Sequence, residues 1–432
     1  MTTLWQASQQ LQQQASTPGA FTEAALNAAQ DSDKEGAQVF TRRYAAQAIQ
    51  QASEAEARWQ AQRALSAIDG LPVSIKDLFD VKGEPTTAGS RLLADAPAAE
   101  ANASVVERLN QAGAAIVGKT NMTEFAFSGL GINPHFGTPA NPWRRAEKRI
   151  PGGSSSGAAV AVADGMCLGA IGTDTGGSVR IPAALCGLTG FKPTAYRIEQ
   201  AGTLPLSTSL DSIGVIAHDV RSCWLLDSVI AERPLELQPQ DLRHARFAVP
   251  QSRVLDGLDA TVAEAWQRAL AALQQAGATL VNIALSELDE LSAMNARGGI
   301  TAWEAWQWHQ RTAVAQPDAY DPQVLVRVQR GGYLTEEDAA QLYRQRKNWQ
   351  ERINAALAGF DALLMPTVPC IAPTIASLDD AQRYMEINAL MLRNPSTINM
   401  LDGCAISLPC HQPGSAPVGI SLASAHRSDE HT

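Results

Sequence analysis

The chain of 432 residues has a formal net charge of −10, with 45% hydrophobic and 18% charged residues. This is an ordinary balance for a folded protein able to bury a large core. With no basic field to offset phosphate repulsion, nucleic acid and anionic membrane are disfavoured as main partners. The six cysteines are scattered without a C-x-x-C pair, so they read as free thiols in a reducing compartment, with no disulfide framework and no metal site.

The N-terminus lacks a basic flank followed by an apolar core and does not read as a secretory signal. No uninterrupted apolar run approaches the roughly 18–20 residues of a membrane span, and a cytoplasmic location is expected. Residues 2–66 alternate Ala and Gln with charged residues and predict two or three helices, the last over about Thr41–Ala67. This gives an N-terminal helical segment, 1–66, packing on a core of 67–432 within one domain. Leu71–Asp80 predicts a short strand ending at Lys76-Asp77. A lysine in an apolar strand is costly to bury unless paired or deprotonated; a lysine that snorkels out or pairs with Asp77 or Asp80 is the simpler reading of this segment alone.

Ser104–Ala112 predicts a helix closed by Gly113, and Ala114–Gly118 a buried strand. This alternation indicates an α/β layering, with Lys119-Thr120-Asn121-Met122 at a strand end, where ligands bind in such sheets. Phe125–Pro142 is too rich in Gly and Pro for regular structure and reads as a connecting loop or a pocket wall. Further on, the pattern predicts helices over Asp219–Ala231, Ala260–Ala276 and most of 286–360. Strands are predicted over Ala245–Pro250, Thr279–Ala284, Ala362–Pro369, Asn399–Pro409 and Val418–Leu422. Trp303 and Trp306, at i,i+3, read as core.

The stretch Pro151–Thr194 contains two loops rich in Gly and Ser, residues 152–157 and 173–178, around the small apolar run Ala158–Ala163. Such loops expose several backbone N–H groups and hydroxyls together, which suits an anion or a developing oxyanion. The run predicts a buried helix capped by serines, and a second helix begins near Pro182, so two helix starts converge. Neither loop contains a His or an obvious base. Gly153–Gly157 satisfies G-x-S-x-G with Ser155 as a nucleophile, but the polar, Pro-broken segment before it does not supply the required strand. No Gly-Lys-Ser/Thr follows the glycines, which excludes a Walker phosphate loop.

The segments GGSSSGAAVAVADG, GTDTGGSVRIPAALCGLTGFKPT, LPVSIKD and GKTNMTEF resemble the amidase signature family, with weaker matches in TLPLSTSLDSIG, DALLMPTVP and NPSTINMLDG. The resemblance implies one large α/β domain whose central mixed sheet is covered by helices on both faces, with a helical insertion at about 286–360. It also implies a triad of Lys76, Ser154 preceded by a cis peptide bond, and the nucleophile Ser178. The N–H groups of Thr175, Gly176, Gly177 and Ser178 would form the oxyanion hole, with Ser155, Asp174 and Arg180 in support. Met122 and Gly129, Leu130, Gly131 and Ile132 would form the substrate pocket. Family members usually continue into a final helix where this sequence ends, which leaves the packing of Val418–Ala425 open.

The activity implied is hydrolysis of a carboxylic amide to acid plus ammonia or amine, without metal or cofactor, by a stand-alone bacterial-type amidase. The alternatives are the glutaminase subunit of a tRNA-dependent amidotransferase, or a hydrolase of a related C–N bond such as a urea-derived amide or carbamate. A non-catalytic binding protein would not need Lys76, Ser154 and Ser178 all intact. The expected partners are a small-molecule amide and a second copy of the chain, with neither nucleic acid nor membrane.

Overall fold

The computed structural model describes residues 1–238, 241–430 and 432. Short runs rich in Val, Ile, Leu and Ala form strands β1 Phe40–Arg43, β2 Pro72–Lys76, β3 Ala115–Thr120, β4 Gly169–Asp174, β5 Thr189–Lys192 and β6 Ser212–Ala217. They are followed by β7 Arg246–Pro250, β8 Thr279–Ile283, β9 Ala362–Pro366, β10 Cys404–Pro409 and β11 Gly419–Ser424. All join one sheet in the order β1-β3-β2-β4-β6-β5-β10-β11-β9-β7-β8. The sheet is mixed: β2 runs parallel to β3 and β4, and β7 parallel to β8 and β9, while β4, β6, β5, β10, β11 and β9 pair antiparallel in sequence across the centre.

Strand side chains alternate between faces, and the two faces feed different cores. Val73, Ile75, Ile171 and Val215 pack with Leu109 and Leu226 of the helices Ser104–Gln111 and Val220–Ile230. Ala115, Val117, Ala170 and Ile216 pack on the other face against the helix Ser156–Ala163. That helix is small and apolar all round, as befits one enclosed by protein. Its close seating requires Gly157, where a Cβ would lie 2.4 Å from the Val39 carbonyl oxygen.

The structure departs from the expectations in four places. Phe40–Arg43 is an edge strand antiparallel to β3, and the following helix starts only at Ala45; the Phe and Thr suit a pleated edge once β3 is there to pair with. Strands β5 and β6 lie in segments for which no strand was expected. Asn399–Leu401 belongs to a short helix, Ser396–Leu401, with the strand starting at Cys404. Trp303 and Trp306 are only half-buried, whereas Trp349 is fully buried. Val418–Ala425 contributes a central strand, β11, paired on both sides. All six cysteines are free, and among the described residues no helix is long and apolar enough to cross a membrane.

Candidate active site

The parallel strands β2, β3 and β4 end along one edge of the sheet, the place where such sheets bind ligands. Lys76 closes β2 there. It is fully buried, and its Nζ lies 2.7 Å from Ser154 Oγ and 2.9 Å from Thr173 Oγ1. Asp77 turns away to Lys119 Nζ at 3.4 Å, so the simpler pairing of Lys76 with a neighbouring carboxylate does not occur.

Lys119 and Lys192 are also fully buried, and the comparison sets Lys76 apart. Lys119 has a carboxylate. Lys192 donates to the carbonyls of Pro193 at 2.8 Å and Gly403 at 2.7 Å; burial, with Arg180 nearby, lowers it to about 8. Lys76 contacts only hydroxyls. Burial pushes its amine from the ordinary 10.5 down to about 7, and the Asp211 and Asp174 carboxylates, acting through space, offset only part of this. A neutral amine held against a serine hydroxyl can accept that serine's proton.

Ser154 follows a cis peptide bond, Gly153–Ser154. The two Gly/Ser loops touch directly, because the Ser155 N–H donates to the Ser178 carbonyl at 3.2 Å. Ser155 occupies the cap position of the helix Ser156–Ala163, but its hydroxyl does not cap it; Oγ instead donates to the Thr173 carbonyl at 3.4 Å. Ser178 sits on the turn between β4 and the helix Arg180–Leu185, beside a cavity of about 390 Å³, and its hydroxyl has no hydrogen-bond partner among the described residues.

The turn is fixed from beneath by Asp174 and Arg180, both fully buried and joined by two hydrogen bonds, Nε–Oδ2 at 3.0 Å and Nη2–Oδ1 at 2.9 Å. Burial alone would raise the Asp174 carboxyl; Arg180, with help from Lys192 and Asn399, more than offsets this and holds it well below the usual carboxylate range. Asp174 Oδ1 also accepts the Gly177 N–H at 2.8 Å. This corrects one expectation, since the Gly177 amide is spent inside the turn. The amides of Thr175, Gly176 and Ser178 have no partner among the described residues, and these three residues line the cavity. Gly177 has φ +125°, and a Cβ there would lie 2.5 Å from Pro395 Cγ, so the turn admits only glycine.

The expected pocket residues lie elsewhere. Met122 is buried in the main core and Leu130 in a second cluster with Ile150 and Ile181. Gly129 accepts the Gly153 N–H at 2.8 Å, and a Cβ on Gly131 would lie 2.3 Å from the Gly152 carbonyl oxygen. Gly129 and Gly131 therefore brace the first loop through backbone contacts, while Leu130 and Ile132 pack in the neighbouring hydrophobic cluster. The cavity wall comes from Ala126, Phe127 and Ser128, from Leu206 and Leu210, and from residues between Arg253 and Met400, including Asn388, Leu392 and Ser396.

Three further residues around the site were not among the expected site residues. Thr173 is the second partner of Lys76. Asn399 bridges the buried pair, accepting from Arg180 Nη2 at 2.8 Å and donating to the Asp174 carbonyl at 2.9 Å. Asp211 accepts from Thr175 Oγ1 and from the Leu206 and Ser207 amides, and burial raises its carboxyl to about 6. All three lie inside motifs that carry the resemblance, Thr173 in GTDTGGS, Asn399 in NPSTINMLDG and Asp211 in SLDSIG, and that was the available hint.

A family model described as amidase matches residues 20–432. The chain belongs to the amidase family. It is 36% identical over 378 residues to the 2-amino-5-chloromuconic acid deaminase of Comamonas testosteroni, covering 84% of this chain and 80% of that protein. It is 33% identical over 413 residues to a glutamyl-tRNA(Gln) amidotransferase subunit of Chloroflexus aggregans, covering 87% of this chain and 83% of that one. A crystal structure of an amidase superposes with a TM-score of 0.89 at 32% identity, covering 99% of this chain and 97% of that one. This amidase-family chain is thus an enzyme of amide C–N bond hydrolysis.

Proposed function

We propose that this amidase acts through a Ser178 acyl-enzyme, with Ser154 as proton relay and Lys76 as base. The observation that carries the reading is the fully buried Lys76 amine, 2.7 Å from Ser154 Oγ and without a carboxylate contact. Neutral Lys76 accepts the Ser154 hydroxyl proton while Ser154 accepts that of Ser178. Ser178 Oγ then attacks the amide carbonyl carbon. The negative charge formed on the carbonyl oxygen faces the unpaired amides of Thr175, Gly176 and Ser178. As the C–N bond breaks, the leaving nitrogen takes the proton back through Ser154. Water then attacks the acyl-enzyme by the same proton route, releasing the acid and restoring Ser178.

The six free cysteines support a reducing, cytoplasmic setting. Ser178→Ala should lower kcat by roughly 10⁴–10⁶-fold and abolish covalent labelling by a fluorophosphonate; full activity in that variant overturns the mechanism. Likeness to the amidotransferase protein favours a second reading, in which the ammonia passes to a partner protein. Glutaminase activity that appears only when such a partner is added decides for it.

A further inference from the structure

The cavity beside Ser178 is lined by four arginines, Arg253, Arg327, Arg330 and Arg393, and by no aspartate or glutamate. None of the four makes an ion pair among the described residues. Their hydrogen-bond partners are neutral: Arg253 donates to Ser292 Oγ, and Arg393 Nε to Asn394 Oδ1 at 3.0 Å. Arg327 lies over the Phe127 ring at 4.9 Å. The buried Nε atoms of Arg253 and Arg327 have no hydrogen-bond partner among the described residues. Arg327 and Arg330 also stand at i,i+3 on the helix Pro322–Gly331, where like charges repel.

This arrangement is expensive for the protein alone. Burying a guanidinium without a counter-charge disfavours its charged form. Burial accordingly lowers Arg327 to about 10, with Arg330 adding to the effect. It also lowers Arg253 and Arg393; Asp256 and Asp289 attract Arg253, and Asp256 attracts Arg393, only from beyond ion-pair distance. The whole chain carries −10, so a positive cavity is a local feature and not the spill-over of a basic surface. A guanidinium fork with open donors fits a carboxylate in two-point geometry.

We propose that the substrate is an amide that itself carries a carboxylate, held in this cavity by the arginines while its amide carbon meets Ser178. This rests on Ser178 being the reacting residue, and the test separates the two claims. The probes are succinamate, glutaramate and adipamate, each compared with its neutral isostere, succinamide, glutaramide and adipamide, together with N-acetylglycine for a carboxylate on the amine side.

At least one anionic probe should exceed its neutral counterpart in kcat/KM by about ten-fold or more, the scale of one charge-assisted hydrogen bond. That preference should shrink by about ten- to a hundred-fold in Arg327→Gln, mainly through KM, and be partly restored in Arg327→Lys. Arg330→Gln, at a more exposed position, gives the same readout should Arg327→Gln fail to fold. As a binding measurement without turnover, succinate, glutarate or adipate should protect Ser178 from fluorophosphonate labelling, whereas chloride and inorganic phosphate at the same ionic strength should not. Neutral amides cleaved as well as every anionic one, with no protection by any dicarboxylate, overturn the proposal while leaving labelled Ser178 in place. Protection by phosphate equal to that by dicarboxylates also overturns it, because the cavity then binds anions without regard to the carboxylate. No labelling of Ser178 in the wild type refutes the acyl-enzyme reading itself.

Discussion

Acidification should switch this amidase off by protonating Lys76. An ordinary lysine with a pKa of 10.5 is neutral in about one molecule in 3,000 at pH 7. Burial brings Lys76 to about 7, where about half of the molecules have a neutral base. The gain in competent enzyme is on the order of a thousand-fold, and the drop corresponds to about 5 kcal/mol at about 1.36 kcal/mol per pH unit. The sign follows from the role: a base must be deprotonated, so kcat/KM should rise with pH, gain about ten-fold per unit below pH 7, and level off above it. The measurement is kcat/KM for one amide between about pH 5.5 and 9.5, in the wild type and in Lys76→Met. Lys76→Met should lose most of the rate at neutral pH and lose the acid limb with it. A wild-type rate still climbing through pH 9, or an unchanged limb in Lys76→Met, refutes the assignment of Lys76 as the base.

Two more outcomes follow from the groups around the turn. The Asp211 carboxylate favours protonated Lys76, so Asp211→Asn should move the acid limb to lower pH; an upward movement contradicts the electrostatic picture. Arg180→Gln leaves Asp174 buried and uncompensated, which should cost about 3–5 kcal/mol in denaturant unfolding. It should also depress kcat, since Asp174 holds the Gly177 amide; wild-type stability and rate would show that the pair is not what fixes the turn.

The family and the α/β character were legible from contiguous motifs, because chemistry that needs Gly, Ser and Asp at fixed offsets on one turn writes them next to each other. The candidates Lys76, Ser154, Thr175, Gly176 and Ser178 were drawn from those motifs. The pocket could not. Residues 129–132 were expected to face substrate, yet Gly129 and Gly131 face the first loop and Leu130 and Ile132 pack in a hydrophobic cluster, since the direction of a Gly-rich segment depends on what packs behind it. The edge strand Phe40–Arg43 read as helix because its ladder partner, β3, lies far along the chain, and local propensity carries no record of that pairing.

By itself, then, the sequence determined the family and its reaction class, through local spacing that backbone geometry requires. Only the tertiary structure decided what each buried charge does. Lys76 meets Ser154 across 78 positions, and Asn399 reaches Asp174 across 225. Three buried lysines of one chemical type part ways by neighbour: a carboxylate for Lys119, two carbonyls for Lys192, hydroxyls alone for Lys76. The four arginines, spread between positions 253 and 393, become one positive lining only when the chain has folded around Ser178. Charge and proton affinity depend on desolvation and on distances of a few ångströms, and those are set by packing rather than by order along the chain.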